Sequence, residues 1–167
     1  TPESVKALTD RNHEVLVESN GGFEAGFTND DYLKAGANIV KTPEEIFKKA
    51  ELIVKVKEPQ MKEVEMIREG QIIYTYLHLA AAKELTLGLM KTKSICIAYE
   101  TVTDDSGRLP LLAPMSAVAG RMSVQAGAHA LEKNQKGRGL LIGGAPGVDP
   151  ANVVILGGGV VGENAAI

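Results

Sequence analysis

Short apolar runs recur along the first hundred residues, each bounded by glycine, proline or a polar cluster. Between them, apolar positions fall at helical spacing. The runs predict strands over 13–18, 37–40, 52–56, 71–77 and 94–99. The intervening stretches predict helices over 4–11, 30–35, 43–50, 61–68 and 80–91. Three starts carry their own signals. Thr1 can cap the first helix, with Pro2 at the first helical position, and Thr28 can cap the second. Thr42-Pro43-Glu44-Glu45 has the spacing of a capping box. Near-continuous apolar strands alternating with helices predict an α/β fold: a parallel sheet covered by helices on both faces.

The pattern changes after Tyr99. Residues 101–109 are polar and turn-rich. Pro114 then opens a long helix to residue 133, rich in Ala117, Ala119, Gly120, Ala126, Gly127, Ala128 and Ala130, which suit close helix packing. A basic, glycine-containing linker over 134–139 marks a domain boundary, and a glycine-rich loop covers 140–150. Residues 152–156 predict a buried strand. Directly behind them stands Gly157-Gly158-Gly159-Val160-Val161-Gly162. A G-x-G-x-x-G run between a strand and a helix start is the context of a dinucleotide-binding turn. Gly157 would allow the tight turn, Gly159 the approach of a pyrophosphate, and Gly162 close helix–strand packing. A plain strand–helix turn is the alternative for such a run.

Other candidate chemistry sits at strand ends, because ligands of open parallel sheets lie outside the carboxyl ends of the strands. Val56 leads into Lys57-Glu58-Pro59, Leu77 into His78, and Tyr99 into Glu100-Thr101. Lys57 is a candidate cation for a substrate carboxylate, and His78 a candidate acid/base. Lys55 shares a face with Lys57 by the strand period of two, so spacing leaves the choice between them open. Cys96, inside an apolar run, is expected to be a buried small hydrophobe. His13 and His129 are expected to be surface or packing residues.

Composition narrows the class. The 167 residues carry 18 Lys+Arg against 21 Asp+Glu, a net charge of −3, with 44% hydrophobic residues. That is a folded domain without the basic surface that nucleic acid requires. A single cysteine gives neither a disulfide nor a metal cluster, so a reducing cytoplasm is the expected compartment. No apolar run approaches the length of a membrane span. Thr1-Pro2-Glu3 at one end and Glu163-Asn164-Ala165-Ala166-Ile167 at the other read as parts of helices, as if the segment came from a longer chain.

Five blocks together resemble alanine dehydrogenase, of the alanine dehydrogenase/pyridine nucleotide transhydrogenase family. They are Leu52-Ile53-Val54-Lys55-Val56-Lys57-Glu58-Pro59, Tyr76-Leu77-His78-Leu79-Ala80, Ala98-Tyr99-Glu100-Thr101-Val102, the stretch from Leu109 to Arg121, and Gly143-Gly144-x-Pro146-Gly147-Val148. The resemblance runs the length of the chain. It implies a Rossmann-like (flavodoxin-like) substrate domain over 1–114, a connecting helix over 115–134, and the opening of a Rossmann NAD domain over 135–167. It implies NAD-dependent, reversible deamination of L-alanine to pyruvate and ammonia by a cytoplasmic homo-oligomer, usually a hexamer, with no metal. Lys57 would bind the substrate, and His78 would be the catalytic acid/base. Met115 would line the substrate pocket, Ser116 would contact the nucleotide, and Val160 and Val161 would lie in the pyrophosphate turn. The family's substrate-binding arginine and catalytic aspartate have no counterpart among these residues, so the segment by itself is expected to be inactive. The rival readings are a transhydrogenase NAD subunit, whose pattern departs from Lys57-Glu58, and a non-catalytic nucleotide-binding or oligomerisation module.

Overall fold

A computed structural model describes residues 1–167. It divides into two compact units, Thr1–Tyr99 and Glu100–Ile167.

The first unit is an alternation of helices and strands. In order it holds α1 (Pro2–Thr9), β1 (Leu16–Glu18), α2 (Asn29–Lys34), β2 (Asn38–Val40), α3 (Pro43–Lys49), β3 (Leu52–Val54), α4 (Met61–Val64), β4 (Ile72–Thr75), α5 (Lys83–Thr92) and β5 (Ile95–Ala98). All strand pairs are parallel, β1 with β2 in one sheet and β3-β4-β5 in a second. Each predicted strand is present but shorter than its apolar run.

Side-chain caps explain the starts of α1 and α2. The Thr1 hydroxyl accepts the Ser4 N–H at 3.3 Å. Thr28 and Asp31 form a full capping box, with the Thr28 N–H donating to the Asp31 carboxylate at 2.8 Å. The Thr28 hydroxyl also donates to that carboxylate, and together these bonds hold its pKa below the ordinary value. The capping box expected at Thr42 does not form, since its side chain makes no bond to the helix. Pro43, with preset φ and no N–H to satisfy, opens α3 by itself. The C-terminal end of α3 is tied down by buried Gln71. Its amide donates to Phe47 O at 2.9 Å and Ala50 O at 2.8 Å, and its Oε1 accepts the Arg68 N–H at 3.1 Å.

One core holds β3-β4-β5 to its helices. Phe47 from α3, Val64 from α4, and Leu85 and Leu89 from α5 close over Ile53, Ile73 and Leu77. These helices share one sheet face, and the expectation of a sheet covered on both faces is not met within these residues. The register places Leu52, Ile72 and Ile95 in one row and Val54, Tyr74 and Ile97 in the next. Leu52, Val54, Ile95 and Ile97 are exposed there. Cys96 is also exposed rather than buried, because β5 is an edge strand and the helices centre on β3 and β4.

The second unit pairs α6 (Ala113–Ala130) with α7 (Val160–Ala166). Their close approach depends on Gly120, buried in α6: a Cβ there would run into the Val161 carbonyl oxygen and lie 2.8 Å from Asn164 Cβ. Residues 152–156 form no strand, and Val154 and Leu156 are exposed. A β-strand needs a paired neighbour to satisfy its backbone, and no segment of the unit pairs with this one.

Candidate functional site

The structure gathers the candidate residues in two places, one in each unit. In the first unit, β3 and β4 are adjacent parallel strands, so the residues following them leave the same edge of one sheet. Lys57 lies beyond the end of β3 and His78 beyond the end of β4. Both are exposed.

The path to Lys57 is not a simple continuation of the ladder. Through Lys55 the pairing is regular, with Val54 opposite Tyr74 and the Lys55 N–H donating to Tyr74 O at 3.2 Å. In that register the Tyr76 N–H would meet Lys55 O. It bonds Val56 O instead, at 3.3 Å. This is a one-residue slip of the bulge kind, a device that ends pairing and re-aims side chains. It breaks the period of two between Lys55 and Lys57, so the shared face expected from spacing does not exist.

Their surroundings also separate the two lysines. The Lys55 ammonium donates to both oxygens of Glu63, at 2.5 and 2.6 Å, with each side chain about three-quarters buried (27% and 21% exposed). Glu63 in turn accepts the Gln60 N–H at 2.7 Å. Lys55 therefore closes the loop between β3 and α4. Lys57 stands within that loop, its carbonyl accepting the Thr75 hydroxyl at 2.8 Å.

His78 adopts a left-handed backbone (φ 50°, ψ 35°). This costs a non-glycine residue on the order of 1–3 kcal/mol and concentrates at functional positions. The conformation ends the strand abruptly and starts a 3-10 turn over Leu79–Ala81, with Ala81 N–H bonded to His78 O at 3.1 Å. The imidazole stacks on Tyr76, centroids 6.1 Å apart and planes at 15°. Tyr99, from the end of β5, meets Tyr74 and Tyr76 edge-on at 4.3 and 4.9 Å. Burial, reinforced by Tyr74 and Tyr76, raises the Tyr99 phenol above its ordinary pKa. This end of the sheet thus carries Lys57 beside the ion-paired Lys55, the His78 imidazole and the phenols of Tyr74, Tyr76 and Tyr99.

The second place is the glycine turn. Gly157 has φ 100°, a conformation that side chains rarely adopt. A Cβ on Gly162 would strike Gly157 O, so α7 can start that close to the turn only with glycine there. Space around Gly159 is open, and Gly159 directly precedes α7. Gly157 and Gly159 thus meet two demands of a pyrophosphate turn, and Gly162 lets α7 pack against the turn and Ile155, although no strand forms there; the set fits a dinucleotide. Val160 and Val161 open α7, both exposed. Met115 and Ser116 lie in the first turn of α6, Met115 exposed beside Val118 and Met122, and Ser116 partly buried.

Three features escaped the sequence reading: the Lys55–Glu63 pair, the Thr75 hydroxyl, and the tyrosine cluster. Threonine and tyrosine are ordinary strand residues, so neither stands out in an apolar run. Glu63 follows Lys55 by eight residues across a loop, a separation that no local period links.

Comparison with known proteins gives the family and the fold. The model of the alanine dehydrogenase/PNT N-terminal domain matches residues 1–119, and that of the C-terminal domain matches residues 123–167. Alanine dehydrogenase from Halomonas elongata is 55% identical over 99% of this chain and 45% of its own length. A solved L-alanine dehydrogenase superposes with a TM-score of 0.87 at 51% identity, over 99% of this chain and 46% of that one. A transhydrogenase from Sinorhizobium meliloti shares the fold, with a TM-score of 0.75 at 24% identity over 99% of this chain and 49% of that one. The chain spans about half the length of the curated relatives it matches. Two matching domain models and an α/β fold with a glycine turn place the chain in the alanine dehydrogenase/PNT family.

Proposed function

We propose that the complete protein is an NAD-dependent alanine dehydrogenase, interconverting L-alanine with pyruvate and ammonia. The single observation that carries this reading is the placement of Lys57 and His78 at one edge of the β3–β4 pair, with Lys55 already neutralised by Glu63. Identity of 55% to a relative named alanine dehydrogenase supports the same substrate. Residues 1–114 serve as the substrate domain, 115–134 as the connecting helix, and 135–167 as the opening of the dinucleotide domain.

Lys57 pairs with the substrate carboxylate and fixes its orientation, which matters because the reacting atoms must be held near attack distance. His78 moves a proton at the substrate oxygen. Protonated, it polarises the pyruvate carbonyl for ammonia attack; neutral, it takes the proton back as water adds in the oxidative direction. Met115 covers the apolar side of the substrate. Gly157, Gly159, Val160, Val161 and Gly162 cradle the pyrophosphate, and Ser116 touches the nucleotide. The hydride acceptor for the amino acid's Cα would be supplied by NAD when bound. The family resemblance further supports a homohexamer working in the cytoplasm.

The test is NADH formation by the complete polypeptide with a panel of L-amino acids. L-Alanine should be the preferred donor. Hydride exchange between nucleotides with no response to any amino acid would replace this reading with the transhydrogenase one.

A further inference from the structure

Thr75 is fully buried and follows Ile73 on the core-facing side of β4, where Leu77 comes next. A hydroxyl in such a position costs stability unless it is bonded. Its bond goes to the main chain of a candidate site residue: Thr75 Oγ1 donates to Lys57 O at 2.8 Å. One residue earlier, the Tyr76 N–H has shifted from Lys55 O to Val56 O. The slip leaves Lys55 O without the Tyr76 N–H and takes the residues beyond it out of the regular register; there the Thr75 hydroxyl meets Lys57 O.

We propose that Thr75 is a positioning residue: its hydroxyl anchors the Lys57 peptide to β4, the strand that carries His78, and so fixes where the lysine presents its charge. The inference rests on the functional reading above for Lys57. Three other bonds complete the clamp. Glu63 holds Lys55 on one side of the loop and the Gln60 N–H on the other. Thr75 is the only one of these groups that ties the loop to the neighbouring strand through Lys57 itself. Valine at this position matches threonine in shape and fills the same space, but donates nothing. The carbonyl would then lose its partner at a partly buried contact, and the Lys57 peptide would rotate to find water.

The experiment compares Thr75→Val and Thr75→Ser in the complete enzyme by steady-state kinetics and by crystal structures. Thr75→Val should raise the pyruvate KM about tenfold or more and lower kcat, since a misplacement near 1 Å costs up to about 100-fold. Its NADH KM should stay within about twofold, while Thr75→Ser, which keeps the donor, should restore the pyruvate KM. The Lys57 carbonyl should leave β4 in the valine variant and remain there in the serine variant. Should Thr75→Val give no soluble enzyme, Thr75→Cys, similar in size with a weak donor, takes its place with the same readouts. An unmoved Lys57 in the valine variant, or serine as impaired as valine, overturns the inference. A parent enzyme that does not turn over alanine would sink the functional reading instead, and the crystal structures alone would then decide the role of Thr75.

Discussion

Replacing Lys57 and Lys55 separately by methionine tests the roles proposed for them. Lys57 is exposed, so removing its charge leaves no buried group orphaned. Stability should change by less than about 0.5 kcal/mol. A charge-assisted bond to a substrate carboxylate contributes about 1.5–3 kcal/mol. At tenfold per 1.4 kcal/mol, its loss raises the pyruvate KM about 10–150-fold. Lys55→Met does the opposite. It strips Glu63 of a partner at 2.5 and 2.6 Å and leaves the Gln60 N–H as that carboxylate's remaining recorded donor. With both side chains still a quarter exposed, solvent screening holds the cost to about 1 kcal/mol, a loss of about 1–2 °C in Tm for a chain of the relatives' length, about twice that of this one. The assay varies pyruvate at saturating NADH and ammonium, beside thermal melts of each variant. If Lys55→Met raises the pyruvate KM as far as Lys57→Met does, the assignment is wrong.

His78→Asn should cost about 100- to 10,000-fold in turnover, the range for a lost general acid/base, while keeping the fold, because asparagine tolerates the left-handed backbone found there; turnover near the parent's would end the acid/base role. Gly120→Ala pushes a methyl into the Val161 carbonyl and should destabilise the α6–α7 pair by about 1–3 kcal/mol, weakening NADH binding in a fluorescence titration; unchanged affinity would show that the pair does not support the glycine turn. The Asp31 carboxyl should titrate below its ordinary 3.8 in a carbon NMR titration. Because the folded state favours the ionised form, its contribution to α2 is complete above 3.8 and lost as pH falls through the lowered pKa; a midpoint at or above 3.8 contradicts the capping box.

Much of the fold was legible because strands and helices in the first unit have distinct periods and their helix starts carry caps, as at Thr1 and Thr28. Strand ends were legible too, since Lys57 and His78 stand where apolar runs stop. What the pattern missed depends on neighbours. The 152–156 run has every mark of a strand, yet strand formation requires a pairing partner that the second unit does not supply. Cys96 sits in an apolar run but on an edge strand, and edge position is set by topology rather than by local sequence. What distinguishes Lys55 from Lys57 is a one-residue slip and a carboxylate across the loop. Neither is written in the spacing of the lysines themselves.

The central claim is that a 2-oxo acid is held between Lys57 and His78 at the carboxyl ends of β3 and β4. A crystal structure of the complete enzyme with pyruvate and NADH tests it most directly. The account predicts the pyruvate carboxylate or carbonyl within hydrogen-bond reach, about 2.6–3.2 Å, of the Lys57 ammonium, and the carbonyl oxygen within the same reach of the His78 ring. Pyruvate bound away from both residues, or bound to Lys55 in place of Lys57, would contradict it.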